Sequence, residues 1–242
     1  MTLKICILEA DVLATQLAEQ YGCYGHMFEK LFQHQSLPVS LDTYNVVLGD
    51  YPNPTTTYDA YLVTGSKFDS FGSELWIQHL RDFLATLIMN EQTIVGICFG
   101  HQLLSLMLGG KVDRSGNGWG IGVHTYRTES KKSWMTPFTN EVKMLVSHQD
   151  QVSCMPANAE LLATSEFCPV AAYQVGDRII CFQGHPEFTS AYSRALIERR
   201  CDKLSPAVYI KGLESLNEPH QGSMIASWIT HFVAQSQTRS QR

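Results

Sequence analysis

Residues Thr93-Ile94-Val95-Gly96-Ile97-Cys98-Phe99-Gly100-His101-Gln102 set the tightest limit on what this chain can fold into. Residues 93–97 read as a buried strand, and the run Leu103-Leu104-Ser105-Leu106-Met107-Leu108 has the apolar content of a buried helix. Between them lies Gly-x-Cys-x-Gly, the pattern of a sharp strand-to-helix turn. The two glycines leave room where the backbones crowd, and the central side chain projects over the sheet edge. Cys98 then stands at a helix N-terminus, where unpaired N–H groups and the helix dipole favour a thiolate. A nucleophile fits that position, and so does an inert buried thiol in a tight turn.

The rest of the chain supplies the sheet such a turn requires. Short apolar runs at 3–8, 44–48, 60–64 and 93–97 read as strands, with a loop over 49–58 carrying Pro52 and Pro54. Helical patterns alternate with them at about 24–34 and over 73–90, where Ser73 is the expected N-cap. That alternation predicts an open, mostly parallel α/β sheet of flavodoxin-like type with helices on both faces. Past Gly109-Gly110 the pattern becomes strand-like at 121–126, 142–147, 161–164, 170–175 and 178–182, a small antiparallel region with Gly176-Asp177 as a hairpin turn. Helices return at 190–200 and 222–233. With no internal repeat and no linker, the chain is expected to form one domain over 1–242, with a C-terminal helical extension at about 189–235.

Charge and cysteine usage exclude several classes of partner. A net charge of −5 offers no general attraction to nucleic acid or an anionic membrane. Seven cysteines are scattered without CxxC spacing, which reads as reduced thiols and predicts a cytoplasmic protein. The N-terminal apolar run is too short for a signal segment, and no run is long enough to span a bilayer. None of the nine histidines forms an H-x-x-x-H pair, so neither a metal nor a cofactor is expected.

A second chemical signal is Gln183-Gly184-His185-Pro186-Glu187, directly after the hairpin strand. Residues two apart in extended backbone project to one side, so Glu187 can hold the His185 imidazole in one tautomer while the ring faces a nucleophile. A histidine beside a carboxylate is common on surfaces, but joined to a cysteine turn it completes a nucleophile, base and orienter set. A third signal, Thr64-Gly65-Ser66, sits at the carboxyl end of a strand, the edge where open α/β sheets build their sites. Backbone N–H groups of Gly65 or Ser66, with that of Phe99, can form an oxyanion hole, although an ordinary glycine turn has the same sequence.

These residues resemble the class I glutamine amidotransferase family. Its G-x-C-x-G-H-Q pattern is met by Gly96, Cys98, Gly100, His101 and Gln102, and its G-H-P-E by Gly184, His185, Pro186 and Glu187. Its S-H-x-D-x-V is met by Ser147, His148, Asp150 and Val152. The matches run in family order from about 60 to 190. The strand-three loop departs from the usual S-G-G-P, reading Thr64-Gly65-Ser66-Lys67, which puts the shape of the pocket there in question. In that loop and in its length the chain is similar to free-standing GMP-synthase-like amidotransferases and γ-glutamyl peptidases. The resemblance implies cleavage of the γ-glutamyl amide of glutamine or a γ-glutamyl compound through a Cys98 thioester. Gln102 and the Ser147-His148 backbone would line the glutamine pocket, while His101, His148 and Asp150 are equally compatible with structural roles. The chain contains no glycine-rich phosphate loop, so no fused ATP-binding part is expected, and a separate synthase is the partner to consider.

The sequence also admits other readings. In α/β-hydrolases with a cysteine turn the acid precedes the histidine, whereas here it follows by two residues. A PfpI-like hydrolase draws its acid from upstream and lacks G-H-P-E. A non-catalytic binding or regulatory module can also be built on this fold.

Overall fold

The computed structural model of the chain describes residues 2–240, so the expected domain limits at 1 and 242 fall outside the described residues. Its main sheet has nine strands in the order β2-β1-β3-β4-β11-β10-β9-β6-β7. The first five in that order are β2 (Val39–Asn45), β1 (Leu3–Glu9), β3 (Ala60–Val63), β4 (Ile94–Ile97) and β11 (Ile179–Phe182). They run parallel to one another. β10 (Ala172–Val175), β9 (Ala159–Thr164), β6 (Gly120–Thr128) and β7 (Glu141–His148) extend the sheet by antiparallel pairing. A separate two-stranded sheet pairs β5 (Lys111–Arg114) with β8 (Asp150–Cys154).

Every residue of β3, β4 and β11 is buried. That is why these strands read as continuous apolar runs: both faces of the parallel sheet are covered. Along β1, Leu3, Ile5 and Ile7 join one core cluster and Cys6 and Leu8 the other, as a two-residue period requires. The first cluster is closed by α2 (Tyr24–Phe32) and α7 (Gly222–Ser240), the second by α3 (Leu75–Met89) and α4 (Phe99–Met107). In α7 Ile225, Trp228, Ile229, Phe232 and Val233 are all buried in the first cluster, so the apolar face of this helix covers its own sheet.

Several elements differ from the sequence expectation. The second strand is not 44–48 but Val39–Asn45, an edge strand of half-buried and exposed residues whose pairing with β1 ends at Glu9↔Asn45. There the Asn45 side chain accepts the Leu48 N–H (3.2 Å) and Val46–Leu48 winds into a short 3-10 helix, which takes the apolar run out of the sheet. Ser73 does not cap α3; Glu74 holds that position with no side-chain cap, and the Ser73 carbonyl accepts from Gln78 instead. Two short helices, α1 (Thr15–Tyr21) and α6 (Pro206–Ser215), were not foreseen; each buries a single residue, Leu17 and Gly212. The expected C-terminal helical part comprises α5 (Ser190–Arg199), α6 and α7. The hairpin at Gly176 stands as expected, with Val175 paired to Ile179 and φ of 54° at the glycine.

Parallel pairing places the carboxyl ends of β1, β3, β4 and β11 side by side on one sheet edge. Asp11, Gly65, Cys98 and His185 each follow one of these ends within a few residues.

Candidate active site

Cys98 is the N-cap of α4 and takes φ 50° and ψ −97°, a conformation that L residues adopt only under constraint from their surroundings. The constraint is visible on both sides. A Cβ at Gly96 would lie 2.8 Å from the Gly100 backbone, and one at Gly100 would lie 2.6 Å from the Val63 carbonyl oxygen. The Cys98 N–H donates to the Phe182 carbonyl (2.8 Å), which fixes the turn to the end of β11. Phe99 is the first helical residue, so its N–H has no acceptor within the helix.

His185 is held by β7. Its N–H donates to the Leu145 carbonyl (2.8 Å), and its ring stacks on Phe188 at 3.8 Å with the planes 10° apart. Nδ1 lies 2.8 Å from Glu187 Oε1, and both residues are buried. A carboxylate oxygen accepts, so the Nδ1–H donates to Glu187 and Nε2 is the ring nitrogen left for Cys98. Burial disfavours the charged ring, but the neighbouring Glu187 carboxylate and Cys98 outweigh it and raise the His185 pKa to about 10. The ring is thereby poised as a proton donor at neutral pH.

Gly65 lies against both groups. A Cβ there would fall 2.5 Å from His185 Cε1 and 3.5 Å from Cys98 Cβ, so only glycine fits beside the imidazole. The Gly65 carbonyl is engaged by the Thr64 hydroxyl (3.0 Å), which itself accepts the Ala10 N–H (3.0 Å). Lys67, at the position where the family loop has proline, donates through its N–H to Asp11 Oδ2 (3.1 Å) and through Nζ to Asp11 Oδ1 (2.7 Å) and the Val12 carbonyl (2.7 Å). Proline offers neither donor. The loop after β3 is thus tied to the loop after β1, and the buried Asp11 keeps a pKa raised by desolvation that the Lys67 pairing only partly offsets.

Of the residues expected to line a substrate pocket, Gln102 is buried and its amide nitrogen donates to the Asp150 carbonyl (2.8 Å) and to Gln183 Oε1 (3.2 Å). His148 is buried beside the Asp150 carbonyl (3.1 Å), and burial pushes its pKa down to about 3, so it is neutral. The Ser147 hydroxyl accepts from Arg200. These residues and Cys98 border a cavity of about 290 Å³. A second cavity, of about 400 Å³, is bordered by His185, Tyr24, Phe188 and Tyr192. The two meet along Ser66, Lys67, Ser147, Arg200 and Lys203. His101 borders neither; it packs against Tyr173, and burial brings its pKa down to about 3.

Sequence reasoning missed several groups at this site. Arg114 bridges Asp69 (3.1 Å) and Asp150 (3.1 Å) across the smaller cavity, and Arg200 lies 4.9 Å from the centre of the Trp119 ring. No local pattern marks them, because they come from separate elements. Among the described residues no group of three His, Cys, Asp or Glu side chains could hold a metal ion. Nor is any described helix long and apolar enough to cross a membrane.

Comparison with known proteins identifies the family and the fold. The family model for glutamine amidotransferase class-I matches residues 24–203. The chain is 31% identical over 187 residues to gamma-glutamyl peptidase 3 of Arabidopsis thaliana, covering 74% of each protein. It is 36% identical over 211 residues to the glutamine-hydrolyzing GMP synthase of Paraburkholderia phymatum, covering 81% of this chain and 36% of that protein. The fold matches the crystal structure of a glutamine amidotransferase from Thermotoga maritima with a TM-score of 0.77 and 19% identity, over 96% of this chain and 98% of that one.

Proposed function

The chain belongs to the class I glutamine amidotransferase family, and from that premise we propose that it is a thiol hydrolase of γ-glutamyl amides that works without a synthase. The observation that carries this reading is the convergence of Cys98, His185 and Glu187 at one sheet edge, with the 2.8 Å contact from His185 to Glu187. Cys98 Sγ attacks the γ-carbonyl carbon, and the developing oxyanion is met by the N–H groups of Phe99 and of Gly65 or Ser66. The C–N bond breaks as His185 Nε2 gives its proton to the departing amine. Water then attacks the thioester, returns a proton to His185, and releases glutamate and the Cys98 thiolate. Glu187 stabilises the imidazolium whenever it forms. Gln102, Ser147 and His148 line the glutamyl side of the cleft.

The burial of the α7 apolar face supports independent action, since that helix is not available as an apolar docking surface. The matched part of the bacterial GMP synthase favours a second reading, in which the protein is a glutaminase that delivers ammonia to a separate synthase. Purified protein without ATP, assayed for amine release from a γ-glutamyl dipeptide and ammonia release from glutamine, separates the two. The hydrolase reading expects turnover of roughly 1–10³ per second on the dipeptide, abolished in Cys98→Ala. Activity that arises only with an added synthase supports the second reading. Inertness in all arms supports a non-catalytic module.

A further inference from the structure

The cleft is larger than glutamine hydrolysis requires. A scissile bond lying between Cys98 and His185 directs its acyl part toward the cavity of Cys98, Gln102 and His148, and its amine toward the cavity bordered by His185. The second cavity is about 400 Å³, whereas a molecule the size of water or ammonia occupies about 30 Å³. Its border is also strongly cationic. Arg199, Arg200, Lys203 and Lys67 face Asp11 alone, and Asp11 is already paired with Lys67. Among the described residues none of Arg199, Arg200 and Lys203 forms an ion pair with a carboxylate. Arg199 donates to Gln16 Oε1 (3.0 Å), and Arg200 is steadied by Ser147 and Trp119. Three cations without a carboxylate partner among the described residues, on the border of the space where the amine departs, provide charge-assisted donors for an anion on the leaving group.

We infer that this cavity is a leaving-group subsite for an amine that carries a carboxylate, that is, an α-amino acid or short peptide, with Arg199, Arg200 and Lys203 recognising that carboxylate. The inference rests on the hydrolase reading above. In a γ-glutamyl amino acid the carboxylate is on the carbon next to the scissile nitrogen, or one residue further in a tripeptide, so it is carried into this cavity together with the amine. The apolar surfaces of Tyr24, Phe188, Tyr192 and Leu196 border the same space and suit an apolar side chain. Ammonia makes none of these contacts, so glutamine gains nothing from the subsite.

The test compares γ-glutamylalanine with γ-glutamylalaninamide, which differ only in the charge of the leaving group. Any cation that serves the glutamyl carboxylate therefore acts on both substrates alike. The wild-type protein is expected to favour the carboxylate by about tenfold in kcat/KM, the scale of one exposed charge-assisted contact. Raising the salt concentration should compress this ratio. Arg199→Gln combined with Lys203→Gln, at two exposed positions whose replacement spares the core, should bring the ratio toward one. A purely structural role would lower both substrates equally and leave the ratio intact, which overturns the inference. Equal use of the two substrates by wild-type protein also overturns it while leaving the hydrolase reading in place. Failure to cleave either one removes both.

Discussion

Replacing Glu187 by glutamine keeps the shape of the site and removes one charge, which makes its effect calculable. The Glu187 carboxylate contacts His185 Nδ1 at 2.8 Å, with both groups buried. Taking about 4 Å between the charge centres and an effective dielectric of about 20, the attraction is about 4 kcal/mol, or about 3 pKa units. The introduced amide can still accept from Nδ1 through its oxygen, so the ring keeps its tautomer but loses the anion. In a Cys98→Ala background, which removes the thiol from the titration, Glu187→Gln should lower the His185 pKa by about 3 units, read from the ring Cε1–H shift in NMR. Stability must follow the same sign. A histidine whose folded pKa is raised to about 10 contributes stability that is complete below its unfolded value of about 6.5. That contribution is lost as pH rises from there through about 10. With Glu187 intact, the melting temperature should therefore fall across that window by more than it does in Glu187→Gln. With Cys98 present, turnover should fall by up to about 10³-fold, the rate equivalent of about 4 kcal/mol of lost imidazolium stabilisation. A His185 pKa within half a unit of its value before the Glu187→Gln change would refute the assignment of Glu187 as the group that charges the ring.

Three further outcomes are expected. An electrophilic glutamine analogue should label Cys98 rapidly, as read by peptide mapping, because Cys98 stands at a helix N-terminus on the border of the cleft, while Cys6, Cys168 and Cys181 are buried thiols with pKa values pushed up to about 12 by desolvation; undiminished labelling of Cys98→Ala, for instance at the exposed Cys154 or Cys201, would contradict this. His185→Ala should lose nearly all turnover beyond what the oxyanion hole supplies, leaving less activity than Glu187→Gln. Gly65→Ala should drive its methyl group to 2.5 Å from His185 Cε1. Overpacking of this kind costs about 1–3 kcal/mol of stability by thermal or urea unfolding, and the displaced ring should lower kcat more than KM changes.

The parts of this molecule that were legible in its sequence are those whose function is fixed by neighbours in the chain. The strand, turn and helix around Cys98 declare themselves because Gly96, Cys98 and Gly100 solve one local steric problem. His185 and Glu187 do so because two residues suffice to make the contact. The edge strand β2 escaped because its residues are half-buried or exposed and carry little periodic signal, while the apolar 46–48 run beside it belongs to a short 3-10 helix. The helices α1 and α6 escaped for the same reason, burying one residue each. The cationic border of the larger cavity has no local signature at all. Arg199 and Arg200 end a helix whose position is set by packing against the sheet, and Ser147, which Arg200 reaches, is 53 residues away in the chain.

The substitution of Lys67 for the family's proline joins these observations. Proline stiffens a loop by fixing φ and gives up a backbone donor in doing so. Lys67 holds the same loop by other means: its N–H and ammonium both bind Asp11, and the ammonium also binds the Val12 carbonyl. The backbone of Gly65 and Ser66 is therefore anchored from one side by the Thr64 hydroxyl and from the other by the end of β1. The same exchange changes what lies next to the cleft. A proline would present a neutral ring where the two cavities meet, whereas Lys67 pairs with Asp11, the one carboxylate among the described residues on the border of the larger one. With Asp11 satisfied within the protein, the charges of Arg199, Arg200 and Lys203 remain available to a ligand, so the residue that shapes the loop also sets the sign of the neighbouring chamber.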